Sequence, residues 1–305
     1  MADFPLRSLL EALPIPMVVA PMTAISTPAL VAAARAGGVV GAFPTSNCAS
    51  IDELERWLDE IDSSARRDAA RGVVPGPVCA NLIVARSNKR LDEDVACVVR
   101  RRIPLVITSV GSPAPVVAPL HAAGCLVLAD VASVAHAKKA LAAGADGLVL
   151  LSAGAGGHTG WANPFAFTRA VRAFYDGPLV VTGGMADGEA LWAAIALGCD
   201  AGMFGTRFIA CPESGASPGW RSAILESSMD DIVLSKAPNG LAASLMASGG
   251  GSAGHTAGSV TESLPAPRVL DEIQREWTNA RSRTREQLDL GRMSTDFTSP
   301  QGETA

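Results

Sequence analysis

The sequence predicts an α/β fold: a (β/α)8 TIM barrel followed by a small C-terminal helical lobe. Apolar runs of strand length recur between residues 17 and 208, and a helix-length segment separates each run from the next. Near-continuous hydrophobic runs are typical of parallel strands buried on both faces, and 305 residues suffice for one barrel. A doubly wound open sheet is the alternative, but its glycine-rich first turn is missing, because the first run leads into Ala20, Pro21 and Met22.

The predicted barrel elements follow from local signals. Eight strands are predicted at residues 17–21, 39–44, 77–82, 105–109, 126–130, within 144–160, at 179–184 and at 201–208. The helices between them begin at recognisable N-caps. Thr27 and Asn163 each precede a proline, Ser50 opens a capping box with Glu53, and Asp187 precedes the helix after the seventh strand.

The pattern changes after Cys211, which sets the predicted domain boundary. Residues 1–210 are assigned to the barrel and residues 211–305 to a C-terminal helical or lid region. Within that region, residues 212–236 are predicted to form one helix and residues 265–290 a charged amphipathic helix. The Gly/Ser stretch at 248–254 predicts a flexible segment, and residues 295–305 predict a frayed polar tail.

Composition excludes several classes of protein. The net charge is −5, and basic residues form only short clusters such as Arg100-Arg101-Arg102, which argues against nucleic-acid binding. No apolar run approaches the roughly 18 residues of a membrane span, and the N-terminus does not resemble a signal peptide. Six scattered cysteines and four widely spaced histidines predict a reduced cytoplasmic protein with buried thiols and no metal site.

The candidate catalytic residue lies in the stretch GADGLVLLSAGAGGHTG at residues 144–160. Its apolar strand opens into a loop in which Gly156 and Gly157 precede His158. Paired glycines let the backbone approach a flat or phosphorylated ligand closely. Histidine changes charge near neutral pH and commonly acts as a general acid or base, so we predict that His158 is catalytic.

Two further glycine loops predict a phosphate site. They are TGGMADG at 182–188 and GTRF at 205–208, after the seventh and eighth strands. Barrels often hold phosphate at those two loops, through backbone N–H groups and the positive end of a helix dipole. Gly183, Gly184, Gly205 and Thr206 are therefore the predicted phosphate ligands.

Taken together, these motifs resemble the nitronate monooxygenases, formerly 2-nitropropane dioxygenases, which are FMN-dependent (β/α)8 barrels. LSAGAGGHTG is similar to the family's QGxEAGGHxG, and VVAPMTAISTPALVAAARAGGVVG is similar to its first βα unit. VCANL, GGMADG and GTRF are similar to its GVNL, GGIADG and GTRF motifs. The chain departs from the central motif where Leu151, Ser152 and Gly154 replace the family's Gln, Gly and Glu.

The resemblance implies FMN as cofactor, oxidation of alkyl nitronates or nitroalkanes by O2 to a carbonyl compound and nitrite, and His158 beside the flavin as base. Small-molecule substrate and O2 are the expected partners, and a homodimer is the assembly considered. Ser109 and Asp130, which end the fourth and fifth strands, are included in the expected site, and Phe43, Trp161 and Phe165 are expected to make its pocket apolar. The expected FMN-binding residues are Ala20, Pro21, Met22, Asn81, Ser109, Asp130, Ala155, Gly156, Gly157, Gly183, Gly184, Gly205 and Thr206.

Other functions stay open on the sequence. FMN-dependent NAD(P)H enoyl reductases of the same superfamily share an AGGH loop. A flavin-free barrel that binds a phosphorylated metabolite would use the same glycine loops. A binding module without turnover is the remaining class.

Overall fold

The computed structural model describes residues 4–237 and 239–293. Eight parallel strands pair in chain order, and the last pairs with the first, which closes a barrel. This confirms the predicted fold class. The barrel strands are β1 (Met17–Val19), β2 (Val40–Pro44), β3 (Val78–Ile83), β4 (Leu105–Ser109), β5 (Leu126–Val131), β6 (Gly147–Leu151), β8 (Leu179–Thr182) and β9 (Ala201–Phe204). The two-residue strand β7 (Gly157–His158) lies outside the barrel.

The barrel interior is a packed apolar core. Alternate side chains of the strands, among them Val40, Ile107 and Val149, point inward and are fully buried. Helix α1 (Pro5–Glu11) adds Leu6 and Leu10 to the same cluster. The carboxyl ends of the strands carry the loops in which barrel enzymes build their sites.

Helices surround the strands as the sequence predicts. They are α2 (Pro28–Ala36), α3 (Ile51–Ala70), α4 (Leu91–Arg100), α5 (Ala114–Ala122), α6 (Val134–Ala142), α7 (Pro164–Arg172) and α8 (Gly188–Leu197). The four predicted N-caps are confirmed. The side chains of Thr27, Ser50, Asn163 and Asp187 each accept a hydrogen bond from the first turn of the helix that follows.

The segment after β9 departs from its prediction. Helix α9 (Pro218–Glu226) ends at Glu226, and the chain then forms an antiparallel hairpin of β10 (Ile232–Lys236) and β11 (Ala242–Met246). The predicted single helix over 212–236 is therefore wrong. Adjacent β-branched residues, Ile232 and Val233, favour a strand, and pairing with β11 outweighs the helical periodicity. The C-terminal lobe combines helices with a hairpin.

The last helix, α10 (Ala266–Met293), completes the helix layer of the barrel. Its buried Leu270 and Ile273 join the apolar cluster that contains side chains of α2 and α8. Trp277 packs edge-to-face on Trp192 of α8, with ring centroids 5.5 Å apart. The division of the chain at residue 210 stays a prediction, and the predicted tail at 295–305 lies outside the described residues.

All six cysteines are buried free thiols, as the sequence predicts. Burial raises the pKa of the Cys211 thiol to about 12, so this group stays protonated at neutral pH. In the part of the chain that the structure describes, no helix is both long and apolar enough to cross a membrane.

The contact between α8 and α10 generates a stability prediction. Gly188 donates its backbone N–H to Glu276 Oε2 (3.0 Å), and a Cβ at this position would overlap the backbone of Ile273 and Trp277. We expect Gly188→Ala to lower the free energy of unfolding in urea by roughly 1–3 kcal/mol, as overpacking does. The control is Gly219→Ala in α9, where a Cβ meets no atom within 4 Å. An equal loss in both variants would contradict the proposed close packing.

Candidate active site

A cavity opens at the carboxyl ends of the barrel strands. Its wall combines the backbone of glycine loops with apolar side chains and a few polar groups, a composition that suits an organic ligand. Every predicted catalytic or FMN-binding residue lines it, although the role of each stays a prediction. These residues are His158, Ala20, Pro21, Met22, Asn81, Ser109, Asp130, Ala155, Gly156, Gly157, Gly183, Gly184, Gly205 and Thr206.

The loops after β8 and β9 form a candidate anion cradle. Gly183 and Gly184 have φ of +98° and +81°, a conformation that side chains rarely adopt. A Cβ on Gly183 would also lie 2.6 Å from Ser152 Oγ. Within the described residues, the backbone N–H groups of Gly183, Gly184 and Gly205 donate to no acceptor. Unpaired N–H groups that line one cavity suit a phosphate group.

Thr206 completes this cradle. Its Oγ1 accepts a hydrogen bond from the backbone N–H of Gly254 (2.9 Å), so its own hydroxyl proton is available to a ligand. Ala253 is fully buried and lines the cavity, so the prediction of a flexible segment at 248–254 is wrong at this point. The glycine serves close packing here, because a Cβ on Gly254 would overlap the carbonyl oxygen of Gly154.

The central glycine loop is held by a small sheet. Strand β7 pairs antiparallel with β11, with His158 opposite Ala243 and Gly157 opposite Ser244. The strand order β10-β11-β7 therefore ties the hairpin to the loop that carries the candidate catalytic residue. His158 is half-buried at the cavity wall, and its Nε2 lies 3.0 Å from Asn239 Nδ2 in the turn of the hairpin.

Polar groups of neighbouring strands line another part of the cavity. Asn81 Nδ2 at β3 donates to the carbonyl oxygen of Ile107 and to Ser109 Oγ on β4, both at 3.0 Å. These bonds fix the Asn81 amide. They leave Asn81 Oδ1 and the Ser109 hydroxyl proton without a partner among the described residues, so both are available to a ligand.

Asp130, at the end of β5, is a carboxyl group without a compensating charge. Its Oδ1 is buried and has no hydrogen-bond partner in the described ranges. Burial raises the pKa of this carboxyl to about 7, because desolvation disfavours the charged form. Asp130 and His158 are the ionisable side chains among the described residues that line the cavity, and no Lys or Arg lines it. The residues that the structure describes contain no group of three or more His, Cys, Asp or Glu side chains that could hold a metal ion.

The aromatic residues expected in the pocket lie elsewhere, so that prediction is wrong. Phe43 is fully buried on the outer side of β2, where it packs on Trp57 of α3 at 5.9 Å. Strand alternation turns its side chain away from the cavity. Trp161 and Phe165 are 84% and 61% exposed on the surface. The apolar lining comes instead from Met22, Leu151, Met185, Met203, Ile209 and Trp220.

The C-terminal segment contributes residues that the sequence analysis missed. Trp220 of α9, together with Ser252, Ala253 and Thr256, lines the cavity. None of them belongs to a recognisable motif, and they reach the cavity only because the segment folds back over the barrel mouth. Asn239 was also missed, since only its contact with His158 shows its relevance.

The raised pKa of Asp130 predicts a pH-dependent contribution to stability. Between pH about 4 and about 7 the folded protein keeps a proton that the unfolded chain, with a carboxyl pKa of 3.8, releases. The free energy of unfolding of the wild type should therefore fall relative to that of Asp130→Asn as pH rises through this range, and then level off. Urea unfolding of both proteins from pH 4 to 8 measures the difference, and a difference that is constant with pH would contradict it.

Comparison with known proteins identifies the family to which the chain belongs. The sequence model of the family described as nitronate monooxygenase matches residues 77–250. A nitronate monooxygenase of Paraburkholderia phytofirmans is 32% identical over 260 residues, which cover 72% of this chain and 70% of that protein. A Rhodococcus jostii protein, (3aS,4S,5R,7aS)-5-hydroxy-7a-methyl-1-oxo-octahydro-1H-indene-4-carboxyl-CoA dehydrogenase, is 34% identical over 128 residues, or 41% of this chain and 35% of that one.

Solved structures share the whole architecture. FabK from Thermotoga maritima superposes with a TM-score of 0.80 at 25% identity, covering 94% of this chain and all of that one. The nitroalkane oxidase of Streptomyces ansochromogenes, at 23% identity and a TM-score of 0.79, shares the fold over 91% of this chain and 99% of that one. With the family model and the Paraburkholderia protein both matching, the chain belongs to the nitronate monooxygenase family and is a flavin-dependent oxidoreductase.

Proposed function

We propose that the flavin is FMN and that the protein oxidises small alkyl nitronates with O2 to a carbonyl compound and nitrite. The observation that carries this proposal is the placement of His158 and the unpaired N–H groups of the glycine loops around one cavity. Its partners would be the small-molecule substrate and O2, with a homodimer as the assembly to test.

The cavity residues fit a flavin mononucleotide. Gly183, Gly184, Gly205 and the Thr206 hydroxyl would hold its phosphate, since they offer hydrogen-bond donors without acceptors. The flexible thioether of Met22 and the backbone of the Ala155–Gly157 segment would contact the flat ring system. Asn81 and Ser109 offer one acceptor and one donor to its polar edge.

FMN supplies the redox chemistry when bound, because it can take electrons from an electron-rich carbon and pass them to O2. The protein supplies orientation. Met185, Met203 and Trp220 give part of the cavity an apolar wall, which would limit the access of water there. His158 offers a polar ring nitrogen to the substrate, either as a base toward a neutral nitroalkane or as a donor toward a nitronate oxygen.

The protonation state of Asp130 affects whether the site can accept an anionic substrate. An ionised carboxylate in the cavity would repel an anionic nitronate, whereas a neutral carboxyl group can donate a hydrogen bond to it. The raised pKa keeps a large fraction of Asp130 neutral near pH 7. The site thus tolerates an anion although no Lys or Arg among the described residues lines it.

The deciding experiment is the visible absorption spectrum of the purified protein, followed by anaerobic additions. We expect flavin bands near about 370 and 450 nm that bleach with ethyl nitronate. High-performance chromatography of the released cofactor identifies FMN. Bleaching by NADPH alone would contradict nitronate oxidation, and a protein without flavin even after reconstitution would contradict the whole proposal.

Two variants of Thr206 test the proposed phosphate site. Thr206→Val removes the hydroxyl while keeping the shape, and we expect the affinity of the apoprotein for FMN to fall by about 10- to 100-fold, as for a lost hydrogen bond to a charged group. Thr206→Ser keeps the hydroxyl and should bind FMN like the wild type. Thermal unfolding of each apoprotein corrects for the lost acceptor of Gly254 N–H. Equal affinity in all three proteins would place the phosphate elsewhere.

A second candidate function is oxidation or reduction of a thioester-activated carbon chain. Leu151 and Gly154 replace the polar Gln and Glu of the nitronate monooxygenase motif, which favours a substrate held differently. The similarity to the Rhodococcus jostii CoA dehydrogenase over 128 residues supports the same alternative. The anaerobic experiment distinguishes it, because an acyl-CoA thioester would then bleach the flavin, or an enoyl thioester would reoxidise flavin reduced by NADPH.

A further inference from the structure

Asn239 makes two hydrogen bonds that together orient its amide. It lies in the turn between β10 and β11, where its Oδ1 accepts from the backbone N–H of Leu241 (3.1 Å). Its Nδ2 lies 3.0 Å from Nε2 of His158. The opposite amide orientation would set two N–H donors against each other at Leu241. The amide nitrogen therefore faces His158.

This orientation determines which nitrogen of His158 carries the proton. An amide nitrogen donates hydrogen bonds and does not accept them, so Nε2 of His158 must supply its lone pair. In a neutral imidazole the other nitrogen then bears the hydrogen. His158 is consequently the Nδ1–H tautomer.

The backbone holds the two residues together. His158 pairs with Ala243 across the ladder between β7 and β11, and the backbone N–H of Thr159 donates to the carbonyl oxygen of Ala242 (3.1 Å). Main-chain hydrogen bonds between β7 and β11 thus hold the start of β11, and with it the turn that carries Asn239, beside His158. This makes the pair a built feature of the small sheet.

The chemistry left to His158 follows from its tautomer. Nδ1 has no hydrogen-bond partner among the described residues, and His158 lines the cavity, so Nδ1 is the ring nitrogen that remains for a ligand. Because Nδ1 carries a proton, it can donate to an anion but cannot take a proton from carbon. A nitronate has already lost its α-proton and needs a donor, whereas a neutral nitroalkane needs a base.

We infer that Asn239 is a positioning residue that holds His158 as the Nδ1–H tautomer and thereby restricts the site to substrates that arrive as anions. The substrate part of this inference rests on the proposed nitronate oxidation. The tautomer part stands on the hydrogen bonds alone. Asn239 acts through His158 and need not contact the substrate.

Three variants separate tautomer control from support of the turn. Asn239→Asp keeps an acceptor for Leu241 N–H but replaces the donor with an acceptor, which favours a proton on Nε2 of His158. Asn239→Ala loses both hydrogen bonds. Ser235→Asp is the charge control, because it adds the same charge at an exposed position of β10, which strand β11 separates from His158 of β7.

Side-chain ¹⁵N NMR of the histidines reads the tautomer in the intact protein. His158→Asn assigns the signal of His158 among the four histidines. We expect a protonated Nδ1 in the wild type and in Ser235→Asp, and a protonated Nε2 in Asn239→Asp. A protonated Nε2 in the wild type, or the same tautomer in the wild type and Asn239→Asp, overturns the inference.

Kinetics with ethyl nitronate and nitroethane read the consequence for substrate choice. We expect Asn239→Asp to raise the ratio of kcat/KM for nitroethane over ethyl nitronate on the order of 10-fold or more, since it frees a basic nitrogen. Ser235→Asp should keep the wild-type ratio. An unchanged ratio in Asn239→Asp overturns the substrate restriction. If the tautomer switches as expected while neither compound is oxidised by any protein, the proposed function fails and the assignment of Asn239 stands.

Discussion

The hydrogen bonds between β1 and β9 are the constraint on which the site depends. They close the sheet, and so bring the loop after the first strand beside the loop after the last one. Met22 and Gly205, 183 positions apart in the chain, come into contact for this reason, with the Met22 sulfur 3.4 Å from where a Cβ on Gly205 would lie. An open sheet would leave these two loops at opposite edges, and the glycine loops after β8 and β9 would no longer share a cavity with the first strand.

A second set of backbone contacts converts the barrel mouth into an enclosed cavity. The chain between β9 and α10 returns over the strand ends, and β11 pairs with the two residues of β7. Gly254 reaches Thr206 from the same segment. A lobe that is distant from the motifs in sequence therefore supplies both a wall of the cavity and the hydrogen-bond partner of His158.

Sequence patterns predict the barrel well because its determinants are local. Buried parallel strands are apolar throughout, helix starts need capping side chains, and Gly183 is required by its own backbone conformation. The face to which Phe43 points depends on the strand register, which a continuous apolar run does not encode. The roles of Trp220 and Asn239 depend on contacts with distant residues, and no local signal marks them. The hairpin at 232–246 was missed for the same reason, since its pairing partner stabilises it.

The composition of the cavity wall also governs how the cofactor arrives. Among the described residues no Lys or Arg lines the cavity, and the whole chain carries a net charge of −5. The phosphate dianion of the proposed FMN would consequently be drawn in by N–H dipoles, whose attraction is short-ranged, and would not be steered from a distance by positive charge. Capture of the cofactor should be slow, and added salt should accelerate it slightly by screening the overall repulsion. Such a site favours a cofactor that is loaded once and then retained.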